Sequence, residues 1–234
     1  MKKGEMMRSA ILDTSERLFF AQGYDNTSVQ DVLDALKLSK GGFYHHFPSK
    51  EAILEEITLR HVERAVDQVR HQLSDERLQP LDKVDRILAA LNLLSWGDRE
   101  FAALAIKICW MNRDVQIASH LRRALMQALL PLMDEAVAEG IRTGDLFSRY
   151  PARVGAMALR LAWDTDDESF ALLTEQLDNP ERLLDVLNAL DAGREAVELL
   201  LGAPYGTIQL FDPAALRVAY QDVRQELKRL EESK

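Results

Sequence analysis

Cysteine is almost missing from this 234-residue chain. Cys109 stands alone, which excludes an intrachain disulfide and a multi-thiolate zinc site and points to a reducing compartment. Glycine (11) and proline (7) are scarce and aromatics reach only 7%, which excludes collagen-like or disordered chains and disfavours a sheet-rich protein. No apolar run approaches the roughly 18 residues needed to cross a bilayer; Ala128–Met133 is typical of the longest. The start of the sequence has no secretion-signal pattern, so a soluble, cytoplasmic location is expected. Net basic charge is also lacking: the formal charge is −9, which argues against a protein that coats nucleic acid non-specifically.

The acidity is unevenly spread. Residues 1–61 hold 8 Lys+Arg against 9 Asp+Glu, and the remainder 21 against 29. The N-terminal segment is close to neutral, with Lys2, Lys3, Arg8, Lys40 and Lys50 able to form a local positive face.

What is present is helical patterning nearly throughout. Ile11, Leu18 and Phe19 fall at helical spacing before Gly23, predicting a first helix over about 6–22. Thr27 and Gln30 fit a capping box, and Val29, Val32, Leu33 and Leu36 form one stripe, predicting a second helix over about 28–36. Ser39 offers a further N-cap; a short third helix follows, with Phe43 and Phe47 inward and Pro48 closing it. Ser49 caps an amphipathic run over about 49–73. Two short helices joined by a tight turn and braced by a preceding helix make a helix-turn-helix unit.

Further helices are expected over about 80–95, 99–112, 115–140, 151–163, 168–177, 180–202 and 213–232, with Pro131 inside one of them. The fold expectation is all-α. A three-helix head occupies residues 1–50, helix 49–73 connects, and a larger helical body fills 74–234.

The segment Leu38-Ser39-Lys40-Gly41-Gly42-Phe43-Tyr44-His45-His46-Phe47-Pro48-Ser49-Lys50 carries the chemistry. A recognition helix inserts its first turn into a major groove about 12 Å wide, so small, polar and basic residues are needed there. Ser39, Lys40, Gly41 and Gly42 meet that need: Lys40 reaches a base edge or phosphate, and the glycines let the backbone approach closely. Tyr44, His45, His46 and Lys50 are placed to donate to phosphates. Thr27 and Ser28 offer hydroxyls and amides at a helix N-terminus. Lys2, Lys3 and Arg8 read either as a solvated tail or as a basic arm.

These residues, with Thr27-Ser28-Val29 and the helix from Arg8 to Gln22, resemble the DNA-binding domain of the TetR family of transcriptional regulators. The resemblance covers about residues 6–60. Family members often have threonine where this chain has Gly42. The resemblance implies a homodimeric regulator, more a repressor than an activator, released from a palindromic operator by a small molecule.

Two heads spanning half-sites one helical turn apart, roughly 34–36 Å, require a dimer. Its expected surface is the pair of helices over 151–163 and 180–202, through Val154, Met157, Ala158, Leu161, Leu183, Leu184, Val186, Leu187, Leu190, Val197 and Leu200. An effector site is expected among Trp96, Phe101, Cys109, Trp110, Arg113, Met133 and Trp163, with Asn112 or His120 as further polar groups; each apolar member also reads as ordinary core. Cys109, among Ile108, Trp110 and Met111, reads as inert.

No metal or cofactor is expected. His45-His46 lacks further ligands at suitable spacing. Asp164-Thr165-Asp166-Asp167-Glu168 lacks the glycine turn and distal glutamate of an EF-hand and reads as a solvated connection. There is no phosphate loop, nucleophile elbow or zinc-protease helix, so an enzyme is not expected. The alternative to a regulator is a helical adaptor whose head binds protein rather than DNA.

Overall fold

The computed structural model describes residues 3–111, 115–175, 183–209 and, beyond these, 218, 221, 222, 224–226, 228 and 229. Among them there is no strand. In order along the described residues come the α-helices α1 Lys3–Gln22, α2 Val29–Leu36, α3 Lys40–Tyr44, α4 Lys50–Leu73, α5 Pro80–Ala89, α6 Arg99–Ile106, α7 Val115–Thr143, α8 Pro151–Glu175 and α9 Leu183–Leu201. The all-α fold, an N-terminal helix-turn-helix head followed by a larger helical body, is as the patterning predicts.

The head is punctuated by side-chain caps. The chain leaves α1 through Gly23, whose φ of +86° suits glycine and whose N–H donates to the Phe19 carbonyl at 3.0 Å. Ser39 Oγ accepts from the Gly42 amide and Ser49 Oγ from the Ala52 amide, both at 3.2 Å, so the two predicted caps of α3 and α4 are present. The capping box of α2 lies one residue later than predicted. Ser28, not Thr27, is the N-cap, and Asp31, not Gln30, returns the bond to the Ser28 amide at 2.7 Å. Thr27 is instead buried and donates its hydroxyl to the Gly23 carbonyl at 2.8 Å, stitching the α1–α2 turn. Lys37 closes α2 in the left-handed region, φ 53°, and sets the tight turn into α3.

The body departs further from the patterning. The expected helix over 80–95 is α5 followed by a 3-10 turn, Leu93–Trp96, started by the Asn92 side chain and ended at Gly97. The expected helix over 99–112 begins on an Asp98 cap as α6 and widens into a π-helical stretch, Lys107–Met111. α7 runs on through Pro131 to Thr143.

The two helices expected over 151–163 and 168–177 are one, α8, which passes straight through the acidic stretch read as a solvated connection. The reason is that each aspartate has a partner on a neighbouring element. Asp164 pairs with Arg122 at 3.3 Å, Asp166 accepts from the Asn92 side-chain amide at 3.1 Å, and Asp167 accepts from the Trp110 indole at 2.9 Å. Burial pushes the Asp166 carboxyl up to about 7, against the lowering effect of Asn92. Of the helix expected over 213–232, the described positions are helical and the rest lie outside the described residues.

α8 and α9 pack closely, because Gly193 leaves room for Thr165: a Cβ there would stand 2.3 Å from its side chain. After α9, the buried Glu198 carboxylate gathers the returning chain by accepting from the Gly206 amide at 3.0 Å, the Ile208 amide at 2.9 Å and Arg194 at 2.9 Å.

Candidate nucleic-acid interface

The surface around α3 is built from below. Phe43 and Phe47 are almost wholly buried and anchor the short helix, which at five residues has little stability of its own. Arg8 lies over the Phe47 ring, 4.6 Å from its centroid, and pairs with Glu56 of α4. It is therefore part of the head's frame rather than a free arm.

Lys50 is used the same way. Its ammonium donates to the carbonyls of Tyr24 at 2.9 Å and Thr27 at 3.0 Å and sits 4.0 Å from the centre of the Tyr24 ring. This corrects the expectation of a phosphate contact: the charge faces three acceptors inside the head and pins α4 to the α1–α2 turn. The expectation for the Thr27 hydroxyl is corrected likewise, because that hydroxyl is buried between Gly23 and the Gln22 side chain, which donates to it at 3.2 Å.

What remains on the outside is compact. Ser28, Ser39, Lys40, Gly41, Tyr44 and His45 are exposed, and Gly42 and His46 half-exposed. A Cβ at Gly41 would have nothing within 4 Å, so this turn is open to an approaching surface. At Gly42 a Cβ would press on Ser39 Oγ at 3.3 Å and make ordinary contact with Leu38 at 3.5 Å. Glycine there keeps the N-cap uncrowded, a physical reason for its presence where threonine is frequent in the resembling family. Tyr44 stands edge-on to Phe43, ring centroids 5.3 Å apart.

The residues expected to line an effector site fall into different surroundings. Trp96 and Phe101 are stacked at 5.8 Å and 6°, and Phe101 stacks on His61 of α4 at 3.8 Å and 7°. This three-ring pile joins α4 to the start of α6. Trp110 is half-buried against Phe170, 4.8 Å between centroids. Cys109, Met133 and Trp163 are buried; Asn112 and Arg113 lie outside the described residues.

One group escaped the sequence reading altogether. His61, Glu16 and Asp98 meet at the junction of head and body, with His61 Nε2 2.6 Å from Glu16 Oε1 and Nδ1 3.2 Å from Asp98 Oδ2. The available signal was a histidine set within the apolar stripe of α4, between Ile57 and Val62.

Residues 11–57 match the family model described as bacterial regulatory proteins, tetR family. Over this N-terminal segment, then, the chain is similar to the TetR family. Among curated relatives, the transcriptional regulator UidR of Escherichia coli is 29% identical over 120 residues, which is 51% of this chain and 59% of UidR. The chain thus spans less than two thirds of the curated relatives it first matches.

Among solved structures, a TetR-family transcriptional regulator from Pectobacterium atrosepticum superposes with a TM-score of 0.63 at 18% identity, covering 86% of this chain and 97% of that one. The regulator FadR of Bacillus subtilis, solved with stearoyl-CoA, superposes at 0.54 and 18% identity, covering 84% and 99%. These structural likenesses establish the TetR-type fold across the body as well as the head.

Proposed function

We propose that this chain is a homodimeric, cytoplasmic transcriptional regulator of the TetR family that represses from a palindromic operator and is released by a small molecule bound in the helical body. The observation that carries the reading is the α3 surface: a Ser39-capped turn with exposed Lys40, an unobstructed Gly41 and Tyr44 and His45 beside it, held rigid by buried Phe43 and Phe47. Lys40 reads base edges or phosphate, while Ser28, Tyr44, His45 and His46 fix the register by phosphate contacts. The head of residues 1–50 reads DNA; the body of 74–234 pairs the subunits and senses the effector. Catalysis is not part of this role.

The pairing surface follows from exposure. Val154, Ala158, Val186, Leu190 and Val197 are buried within the chain itself, so they are not available to a partner. Met157, Leu184 and Leu199 are exposed on the same two helices and supply the apolar points for a four-helix arrangement. A FadR of known structure holds an acyl-CoA, which supports a small-molecule effector for this chain without specifying its chemistry.

Selection of binding duplexes from a randomised pool on the full-length protein tests the reading. A two-fold symmetric consensus, with affinity falling steeply as salt rises, is expected. Lys40→Ala weakens binding to that consensus by about 1–3 kcal/mol with the thermal midpoint unchanged. Recovery of no duplex, or affinity indifferent to salt, overturns it in favour of a protein-binding head.

A further inference from the structure

We propose that His61 is a proton-operated latch between the head and the body, closed when its ring is doubly protonated and bound at once to Glu16 of α1 and Asp98 at the start of α6. Its link to DNA rests on the regulator reading above; the latch itself rests on geometry. His61 is 3% exposed, and its two ring nitrogens face carboxylates on two elements that are otherwise distant in the chain. A neutral imidazole has one N–H and one lone pair, so it satisfies only one of two carboxylates and turns a lone pair toward the other. The imidazolium donates to both.

Neighbouring rings hold the imidazole in this orientation. Phe101 lies flat against it at 3.8 Å and Phe20 stands edge-on at 6.5 Å. Other charges, among the described residues, face the site from both sides. On α4, Arg64 lies 3.8 Å from Glu16 and Arg60 is bound to Asp13 at 2.7 Å. On α6, Asp98 also caps the helix by accepting from the Phe101 amide at 3.1 Å, and Glu100 faces the adjoining recess together with Arg17 of α1 and Arg229.

The chain also ties this junction from outside. Arg229 donates to the Phe20 carbonyl at 3.0 Å, and Asp222 pairs with Arg99 at 3.4 Å.

Burial alone lowers the His61 pKa, but the hydrogen bonds to Asp98 and Glu16 outweigh it and hold the value above 6.5; Asp98 is lowered in return, chiefly by its bond to His61. Because the folded value is raised, the stabilisation is fully present below the unfolded pKa and is lost as pH rises through the folded one. The latch therefore opens on the alkaline side, freeing α1 and α4 to move relative to α6.

Nitrogen-15 NMR of the labelled full-length protein, which resolves the ring nitrogens of its five histidines, tests the first half. His61 is expected to titrate above its own midpoint in the urea-unfolded chain, and Glu16→Gln and Asp98→Asn each lower the folded midpoint. A folded midpoint at or below that of the unfolded chain overturns the proposal.

Hydrogen exchange, corrected for intrinsic rates, tests the second half. Each pKa unit of displacement equals about a tenfold change in the opening equilibrium, so exchange across the end of α1 and the start of α6 is expected to rise, on crossing the midpoint, about tenfold for each unit that NMR finds between the folded and unfolded midpoints. In Glu16→Gln the rise is lost. A raised midpoint without any change in exchange also overturns the latch.

With the selected duplex, the parent is expected to lose affinity with rising pH more steeply than Glu16→Gln, which leaves His45 and His46 untouched; equal slopes sever the latch from DNA binding. Failure to select any duplex defeats the regulator reading alone, since titration and exchange judge the latch without DNA.

Discussion

Head and body hold themselves together in different ways. In the head, every helix start after α1 has a serine side chain bonded to an amide three residues on, at Ser28, Ser39 and Ser49. The information that ends one helix and begins the next lies within a few residues. The body also has local caps, at Asn92 and Asp98, but its elements are tied together by residues far apart in sequence: Asn92 with Asp166, Trp110 with Asp167, Lys83 with Glu139 at 2.5 Å, and the Gln209 amide with Asp85 at 2.8 Å. Locally encoded geometry suits a part that must present one fixed surface. A body whose elements are set by distant partners, with a π-helical stretch and a 3-10 turn between regular helices, has more ways to shift one element against another.

Three substitutions press on that contrast. Phe43→Ala empties the middle of the head and is expected to cost about 3–5 kcal/mol. Helical circular dichroism on heating then splits into two transitions if the body stands by itself, and shifts as one if the contrast between the parts is only descriptive.

Glu198→Ala strips three donors in the body of their acceptor and is expected to cost roughly 3 kcal/mol, with hydrogen exchange rising over 204–209 and unchanged over α2 and α3. Spread of that effect into the head breaks the comparison. The smallest change is Lys50→Met, which leaves the Tyr24 and Thr27 carbonyls short of a donor at about 1–2 kcal/mol. It is expected to loosen the α1–α2 turn and to lower duplex affinity through geometry, with no reduction in the number of counterions released per duplex. A reduced salt slope for Lys50→Met instead shows that the side chain leaves its cage to touch phosphate.

The same contrast governs what was legible in the sequence. Ser39, Ser49, Pro48 and the Phe43–Phe47 spacing gave α3 and α4 to within a residue or so, because caps and terminators are short-range. The error at α2 was also short-range: Thr27 and Ser28 are both competent caps, and the choice between them is made by burial of Thr27 under Gly23, which spacing does not reveal.

In the body, the run Asp164–Glu168 reads as a loop when its charges are assumed to face water. It is helix because Arg122, Asn92 and Trp110 meet those charges, and nothing local announces them. The candidate interface was legible in its outward residues and misjudged at Thr27 and Lys50, whose polar atoms are spent inside. His61 was visible only as an oddity in an apolar stripe, since its partners lie 45 residues before it and 37 after.

The lone thiol has a practical consequence. Cys109 is 7% exposed, so a cysteine introduced on the outer side of the head would be the reagent-accessible sulfur in each subunit. One fluorophore or spin label per chain would then sit where the experimenter chooses, with no native thiol to remove first. The gap between two heads becomes a distance that can be read by spectroscopy in solution, with and without duplex and across pH.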